Sequence, residues 1–486
     1  MSLKVKTEKG LIWSTVDTFG MNFFRIIITI LLARLLQPNH FGLIAMLSVF
    51  VSLSDSIVYG GFSSALIRKK NIEDKDYSTV FIFNFLVSIA LYVLIYAGAP
   101  YIASFFGEPI LKALARVVAL VIVFHSFGLV QTAILKRNID FKSLALINIL
   151  STLFSGLTGI LMAYQGFGVW SLAGQMVSKA LLTSILLWVF GKWSLKLRFS
   201  QTSFKENFNF GYKVSLVNIM GALVPNLYNA VIGKYYSPGS LGLYYQGNKL
   251  ATISQSFIMT VFKTVSYPVF SSLQDKPEQL KDSYLKFIRM VSFVSFPTMM
   301  LFIVIAEPAI VLLLSDKWIE SVPYFQILSI KGMILPVIAI SANIPLALGR
   351  SGIYLKYSIL NSGLLLAFLF ITAPIGIKAM VGGMVLVKII SLFINLWLVS
   401  KMIDLKVSVQ LFALSKLLGI SILTGAISYS FVFLIEQKVL LMSTQIIVFT
   451  LLYVGAQSFL GSNELMDVKN LLHDRFGKLL SKKSQS

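Results

Sequence analysis

The chain contains no cysteine, which excludes disulfides, thiolate metal sites and a cysteine nucleophile. Charge is scarce too: 13% of its 486 residues are charged, against about 25% in soluble proteins. Acid is the scarcer sign, with 20 Asp and Glu against 42 Lys and Arg. Histidine occurs three times, at His40, His125 and His473, too far apart for ligand spacing, so no metal centre is expected. Strand-type alternation is missing, which argues against a β-barrel. No polar stretch is long enough to form a folded domain between the apolar ones, and this weighs against a membrane enzyme.

What is present is apolar. Hydrophobic residues make up 56% of the chain and the mean hydropathy is +0.81. They fall in blocks near 20 residues, the length a helix needs to cross about 30 Å of hydrocarbon. Hydropathy gives about 14 spans: 10–36, 41–67, 79–99, 110–135, 143–164, 168–190, 211–235, 243–270, 285–314, 322–348, 355–375, 378–400, 411–435 and 441–460. The fold class is all-α and integral to a membrane. The basic start runs straight into an apolar block with no small-residue cleavage site, and reads as a retained first span.

The net charge of +22 does not point to nucleic acid, because the cations sit in alternate short loops. Lys4, Lys6 and Lys9, then Arg68, Lys69, Lys70 and Lys75, then Lys136, Arg137 and Lys142 mark one side. Loops 37–40, 100–109, 165–167 and 236–242 have no Lys or Arg. The positive-inside rule then makes both termini cytoplasmic in an inner membrane. Residues 463–486 have apolar positions at helical spacing among basic neighbours, as in an amphipathic tail lying on the bilayer.

An internal repeat offset by about 200 residues organises the chain. Arg34, Pro38 and Gly42-Leu43 recur as Lys234, Pro238 and Gly242-Leu243. Arg137 and Asn148 are echoed by Arg350 and Asn361, and Lys179 and Trp188 by Lys388 and Trp397. The expected organisation is an N-terminal lobe over 1–200, a C-terminal lobe over 201–405, two extra helices over 406–462 and the tail. Six spans per lobe give a parallel repeat, with substrate held between the lobes.

Polar residues at membrane depth are costly and mark candidate sites. Thr18, Asn22, Arg25 and Thr29 share a face, as do Ser48, Ser52, Asp55 and Tyr59. Ser171, Gln175 and Lys179 line another, and Lys388, Ser391 and Asn395 a fourth. Asn218, Pro225 and Asn229 share a face of the seventh span, and Lys249, Ser256, Thr260 and Lys263 one of the eighth. The candidate substrate-binding set is Arg25, Lys179, Lys388, Asn22, Gln175, Asn395, Lys249 and Lys331, with Asp55 as a coupling or pairing residue. Arg25 either lines a cavity or bridges to Asp55, and Lys249, Lys263 and Arg34 either line it or snorkel. Excess positive charge suits an anion, and phosphate above all.

These segments resemble the Wzx-type polysaccharide flippases of the multidrug/oligosaccharidyl-lipid/polysaccharide superfamily. The resemblance rests on Gly10-Leu11-Ile12-Trp13-Ser14, Leu32-Ala33-Arg34-Leu35-Leu36, Phe105-Phe106-Gly107-Glu108-Pro109, Gly166-Phe167-Gly168-Val169-Trp170, Ala306-Glu307-Pro308 and Leu346-Ala347-Leu348-Gly349-Arg350. It implies two helical lobes in a V and translocation of an undecaprenyl-diphosphate-linked oligosaccharide for O-antigen, capsule or exopolysaccharide. It also implies a proton or sodium gradient in place of a cofactor, and a polysaccharide polymerase and chain-length regulator as partners. The competing readings are a peptidoglycan lipid-precursor flippase, a drug/cation antiporter of the same fold and, from another class, a membrane glycosyltransferase or polymerase.

Overall fold

The computed structural model describes residues 3–467, apart from 60, 70, 192, 195 and 197. Among these residues the chain is helical throughout and contains no strand. In order the helices are α1 (Leu3–Leu35), α2 (Pro38–Tyr59), α3 (Phe62–Arg68), α4 (Asp74–Phe106), α5 (Ile110–Val118), α6 (Leu120–Arg137), α7 (Phe141–Tyr164), α8 (Val169–Phe190) and α9 (Gln201–Tyr235). Then come α10 (Pro238–Ser272), α11 (Pro277–Val304), α12 (Ala306–Leu314), α13 (Val322–Ser341), α14 (Asn343–Ala347), α15 (Ser351–Thr372), α16 (Ile377–Ile403), α17 (Val407–Tyr429) and α18 (Lys438–Phe459).

Among the described residues, 12 helical segments are long and apolar enough to cross a membrane. The other two of the 14 expected spans coincide with α1 and α10, which are 33 and 35 residues long. Gln246, Asn248, Lys249 and Gln255 dilute the apolar density of α10. The tail expected over 463–486 lies outside the described residues beyond Asp467, as do the side chains of Thr18, Tyr59, Thr260 and Lys263.

The expected loops are shorter than hydropathy suggests. The helix α4 runs through Pro100 to Phe106 and stops at Gly107, which is left-handed at φ 73°. Proline 100 cannot donate to the Tyr96 carbonyl one turn back. The Arg116 side chain supplies that donor at 3.4 Å and stacks 4.3 Å over the Tyr96 ring. Pro297 sits inside α11 in the same way, and there the Tyr453 hydroxyl from α18 donates to the freed Phe293 carbonyl at 3.0 Å. Neighbouring side chains re-satisfy the backbone, so both helices continue.

The chain separates into two compact units, 1–246 and 247–486. In the first, α7 packs along α1 and α8, and α2 along α9. Small residues allow this: a Cβ on Gly156 would come within 2.2 Å of Ile28, and one on Gly159 would touch Gln175 at 3.0 Å. The turn between α1 and α2 and that between α9 and α10 have the same form, each entering its second helix at a proline. They also cross. A Cβ on Gly42 would lie 1.7 Å from the Pro238 carbonyl oxygen, and one on Gly242 would lie 1.8 Å from that of Pro38. The matching segments of the repeat therefore meet face to face, through positions where any side chain would collide.

At the opposite end of this unit, Arg137 caps α3 by donating to the Leu66 carbonyl at 3.1 Å and to that of Lys69. Lys69 pairs with Asp76 at 2.9 Å and Glu206 at 2.8 Å, and the Ser203 hydroxyl donates to Asp76. Partial burial pulls the Lys69 pKa down, but the two carboxylates more than reverse this and hold it above its ordinary value. In the second unit α11 is the hub, packed against α13 and α17, and one core runs through Tyr284, Ile288, Met299, Val337 and Leu396.

Candidate functional site

The first unit contains a cavity of about 490 Å³ lined by Ser48, Val51, Ser52, Asp55 and Ser56 of α2, Met176 of α8 and Asn218 of α9. Asp55 lies on its wall and meets His125 Nδ1 at 2.8 Å, both side chains being a little over a quarter exposed. Asp55 thus takes His125, rather than Arg25, as its hydrogen-bond partner. Further along α2 the polar stripe is closed by α9. Asn226 Nδ2 donates to Ser52 Oγ at 3.0 Å and Asn229 Nδ2 to Ser48 Oγ at 3.1 Å. These bonds hold two membrane helices together where apolar packing alone gives little direction.

Lys179 lies one turn beyond Met176 on α8 and is half-buried. Arg25 and Asp17 of α1 are both within electrostatic reach of it. Asp17 also accepts from Asn148 Nδ2 at 3.2 Å. The cluster therefore contains two cations and one acid, tied to α7 by an amide. Arg25 is exposed, Asn22 is buried at 7%, and Gln175 packs on Gly159.

The second unit repeats the arrangement without the acid. Lys388 on α16 donates to Asn361 Oδ1 of α15 at 2.9 Å, and Ser391 Oγ donates to the same oxygen at 2.8 Å. The Tyr357 hydroxyl is within hydrogen-bonding reach of Ser391 and Asn395. Asn395 is buried, with its Nδ2 turned back onto the Ser391 carbonyl at 2.7 Å. Lys331 of α13 lies within electrostatic reach of Lys388. Among the described residues neither lysine has a carboxylate ion-pair partner. Lys249 is half-buried on α10.

Of the residues singled out from sequence, Arg25 and Lys179 come together, as do Lys331, Lys388 and Asn395. Asp17, Tyr357 and Asn226 were missed. Asn148 and Asn361 were noted as a repeat, and each turns out to hydrogen-bond within its lysine cluster. The signal that could have found Asp17 was its place on α1 opposite Asn148.

The arrangement can hold an anion in either cluster, because ammonium and guanidinium groups at restricted hydration bind phosphate oxygens strongly. Among the described residues no group of three or more His, Asp or Glu could hold a metal ion.

Residues 31–323, more than half of the chain, match the family model described as "Polysaccharide biosynthesis protein". The teichuronic acid biosynthesis protein TuaB of Bacillus subtilis is 25% identical over 88% of this chain and 89% of its own length. The lipopolysaccharide biosynthesis protein WzxC of Escherichia coli is 24% identical over 82% of each chain. Among solved structures, the lipid II flippase MurJ in an inward closed conformation superposes with a TM-score of 0.75 at 15% identity, over 92% of this chain and 98% of its own. An inward-facing multidrug resistance MATE family transporter of the MOP superfamily gives 0.63 at 18%, over 79% and 94%. The fold is that of the MOP-superfamily transporters, and the chain belongs to the polysaccharide biosynthesis protein family.

Proposed function

We propose that this protein is a flippase that carries an undecaprenyl-diphosphate-linked oligosaccharide repeat unit across a bacterial inner membrane by alternating access. The observation that carries this reading is the uncompensated Lys388–Lys331 pair, buttressed by Asn361, in a chain of this family. Two fixed positive charges with no acid between them suit a diphosphate. Lys179 and Arg25 form the matching contact in the first unit, weakened by Asp17. WzxC and the succinoglycan biosynthesis transport protein ExoT of Rhizobium meliloti, 25% identical over 67% of this chain, are named for the same class of pathway.

The Asp55–His125 pair on the cavity wall is the proposed coupling element. Both termini are proposed to be cytoplasmic, with a polysaccharide polymerase and chain-length regulator as partners. The test is a leaflet assay. Purified protein is reconstituted with a labelled polyprenyl-diphosphate glycan, and the glycan's accessibility to an external lectin is followed. Transfer at the rate of protein-free vesicles would refute the reading. Faster movement of a peptidoglycan precursor than of the repeat unit would favour the alternative that the MurJ-like fold keeps in view.

A further inference from the structure

Where α11, α17 and the end of α18 meet in the second unit, two adjoining hollows take no part in the transport reading. The smaller, about 190 Å³, is lined by Arg289 of α11, Phe412 and Lys416 of α17, and Gln457, Ser462 and Glu464 at and beyond the end of α18. The larger, about 600 Å³, shares Arg289 and Glu464 and extends past Lys286 and Asp467. Lys286 is neutralised by Asp467 at 2.7 Å. Arg289 and Lys416 have no ion-pair partner among the described residues. With Glu464 they leave the smaller hollow one positive charge in excess.

Its wall also holds buried polar groups with unfilled bonding capacity. Ser462 is 6% exposed and its hydroxyl makes no hydrogen bond, while Gln457 is fully buried and its amide has the Tyr453 hydroxyl within reach. The Tyr453 hydroxyl beside Gln457 donates elsewhere, to Phe293. Buried polar groups left this way are costly, and native structures keep them where a ligand or water completes them. Snorkelling would account for the two cations, but not for these buried groups behind them.

Depth and size identify the ligand. Arg289 and Lys416 lie four and five residues inside the apolar blocks that begin at 285 and 411, roughly 6–8 Å along a helix. From there both long side chains reach the headgroup level. The smaller hollow, at about 190 Å³, has room for a phosphodiester. Phe412, 75% exposed, lines it with apolar surface suited to acyl chains.

We propose that this crevice is a resident phospholipid site. Arg289, Lys416, Gln457 and Ser462 hold the phosphate of a glycerophospholipid drawn from the bilayer, and Glu464 faces the ammonium or hydroxyl end of its headgroup. Native mass spectrometry of the full-length protein with added phosphatidylethanolamine or phosphatidylglycerol tests it. Wild type and Lys388→Gln retain one lipid through delipidation, whereas Arg289→Gln/Lys416→Gln weakens retention roughly tenfold, as loss of charge-assisted contacts should. Arg289→Lys/Lys416→Arg keeps the lipid, which separates lost charge from lost fold, and Gln457→Leu lowers retention with Arg289 and Lys416 intact. Wild-type retention by Arg289→Gln/Lys416→Gln would overturn the proposal. So would replacement of the phospholipid by equimolar undecaprenyl phosphate, or binding of inorganic phosphate with no phospholipid retained.

Discussion

Lys179 and Lys388 occupy matching places in the repeat, but their surroundings differ in one respect. Lys179 shares its cluster with Arg25 and Asp17, while Lys388 shares its own with Lys331 and no acid. The amide is common to both: Asn148 binds Asp17, and Asn361 binds Lys388 directly. The first cluster thus carries one positive charge in excess, and the second carries two. The two halves share one scaffold but present different fields, so a diphosphate should bind the second half more tightly.

Substitution can break that asymmetry. Lys179→Gln together with Lys388→Gln should abolish export in a complementation assay while the protein stays folded and inserted; wild-type export by this variant would remove the lysines from the site. Lys388→Gln alone should weaken substrate affinity about tenfold or more, the worth of a charged hydrogen bond. Lys179→Gln should cost about threefold, because Asp17 already offsets it. Asp17→Asn sharpens the contrast: with its counter-charge gone, Lys179 should matter as much as Lys388. Equal losses for the two single lysine variants in the wild-type background would contradict the asymmetry.

The ion pairs at the ends of the two units differ in the same sense. Asp76 is fully buried beside Lys69, whereas Glu307 and its partner Lys438 are each more than a third exposed. Lys69→Met strands a buried carboxylate and should cost about 2 kcal/mol in denaturation from detergent micelles. Lys438→Met should cost less than about 1 kcal/mol. Because the folded Lys69 pKa is raised, its contribution is fully present below its ordinary value of 10.5 and fades only as pH rises through the higher folded one. The Lys69→Met penalty should therefore be flat from about pH 6 to 9.

Hydropathy and periodicity located most of the membrane helices, because burial in lipid demands apolar blocks of one length. They also singled out Arg25, Lys179, Lys331 and Lys388, since a cation at that depth stands out in sequence. What they missed depends on which faces meet. Ser48 and Ser52 do line the cavity, but that α9 turns Asn226 and Asn229 onto them was not legible, because no one-helix pattern gives the rotation of its neighbour. Asp17 escaped notice because it sits near the basic end of α1, where an acid looks like surface. Residues 100–109 read as a loop because proline usually ends a helix. Here the donor from Arg116, distant in sequence, lets α4 run on.

Two of the in-helix prolines, Pro100 and Pro297, provide the finest comparison. Each strips a donor from a carbonyl one turn back, but the replacements are unequal. Arg116 reaches Tyr96 at 3.4 Å from an exposed position, and Tyr453 reaches Phe293 at 3.0 Å from a partly buried one. Tyr453→Phe should therefore cost about 1 kcal/mol, and Arg116→Met less. A double-mutant cycle distinguishes this role from simple packing. Pro297→Ala restores a backbone N–H for the Phe293 carbonyl, so Tyr453→Phe should become nearly neutral in that background. A penalty unchanged by Pro297→Ala would mean that the hydroxyl serves some other group. A vanished one would show α18, a helix outside the six-span repeat, acting as the brace that lets α11 keep a proline in mid-membrane.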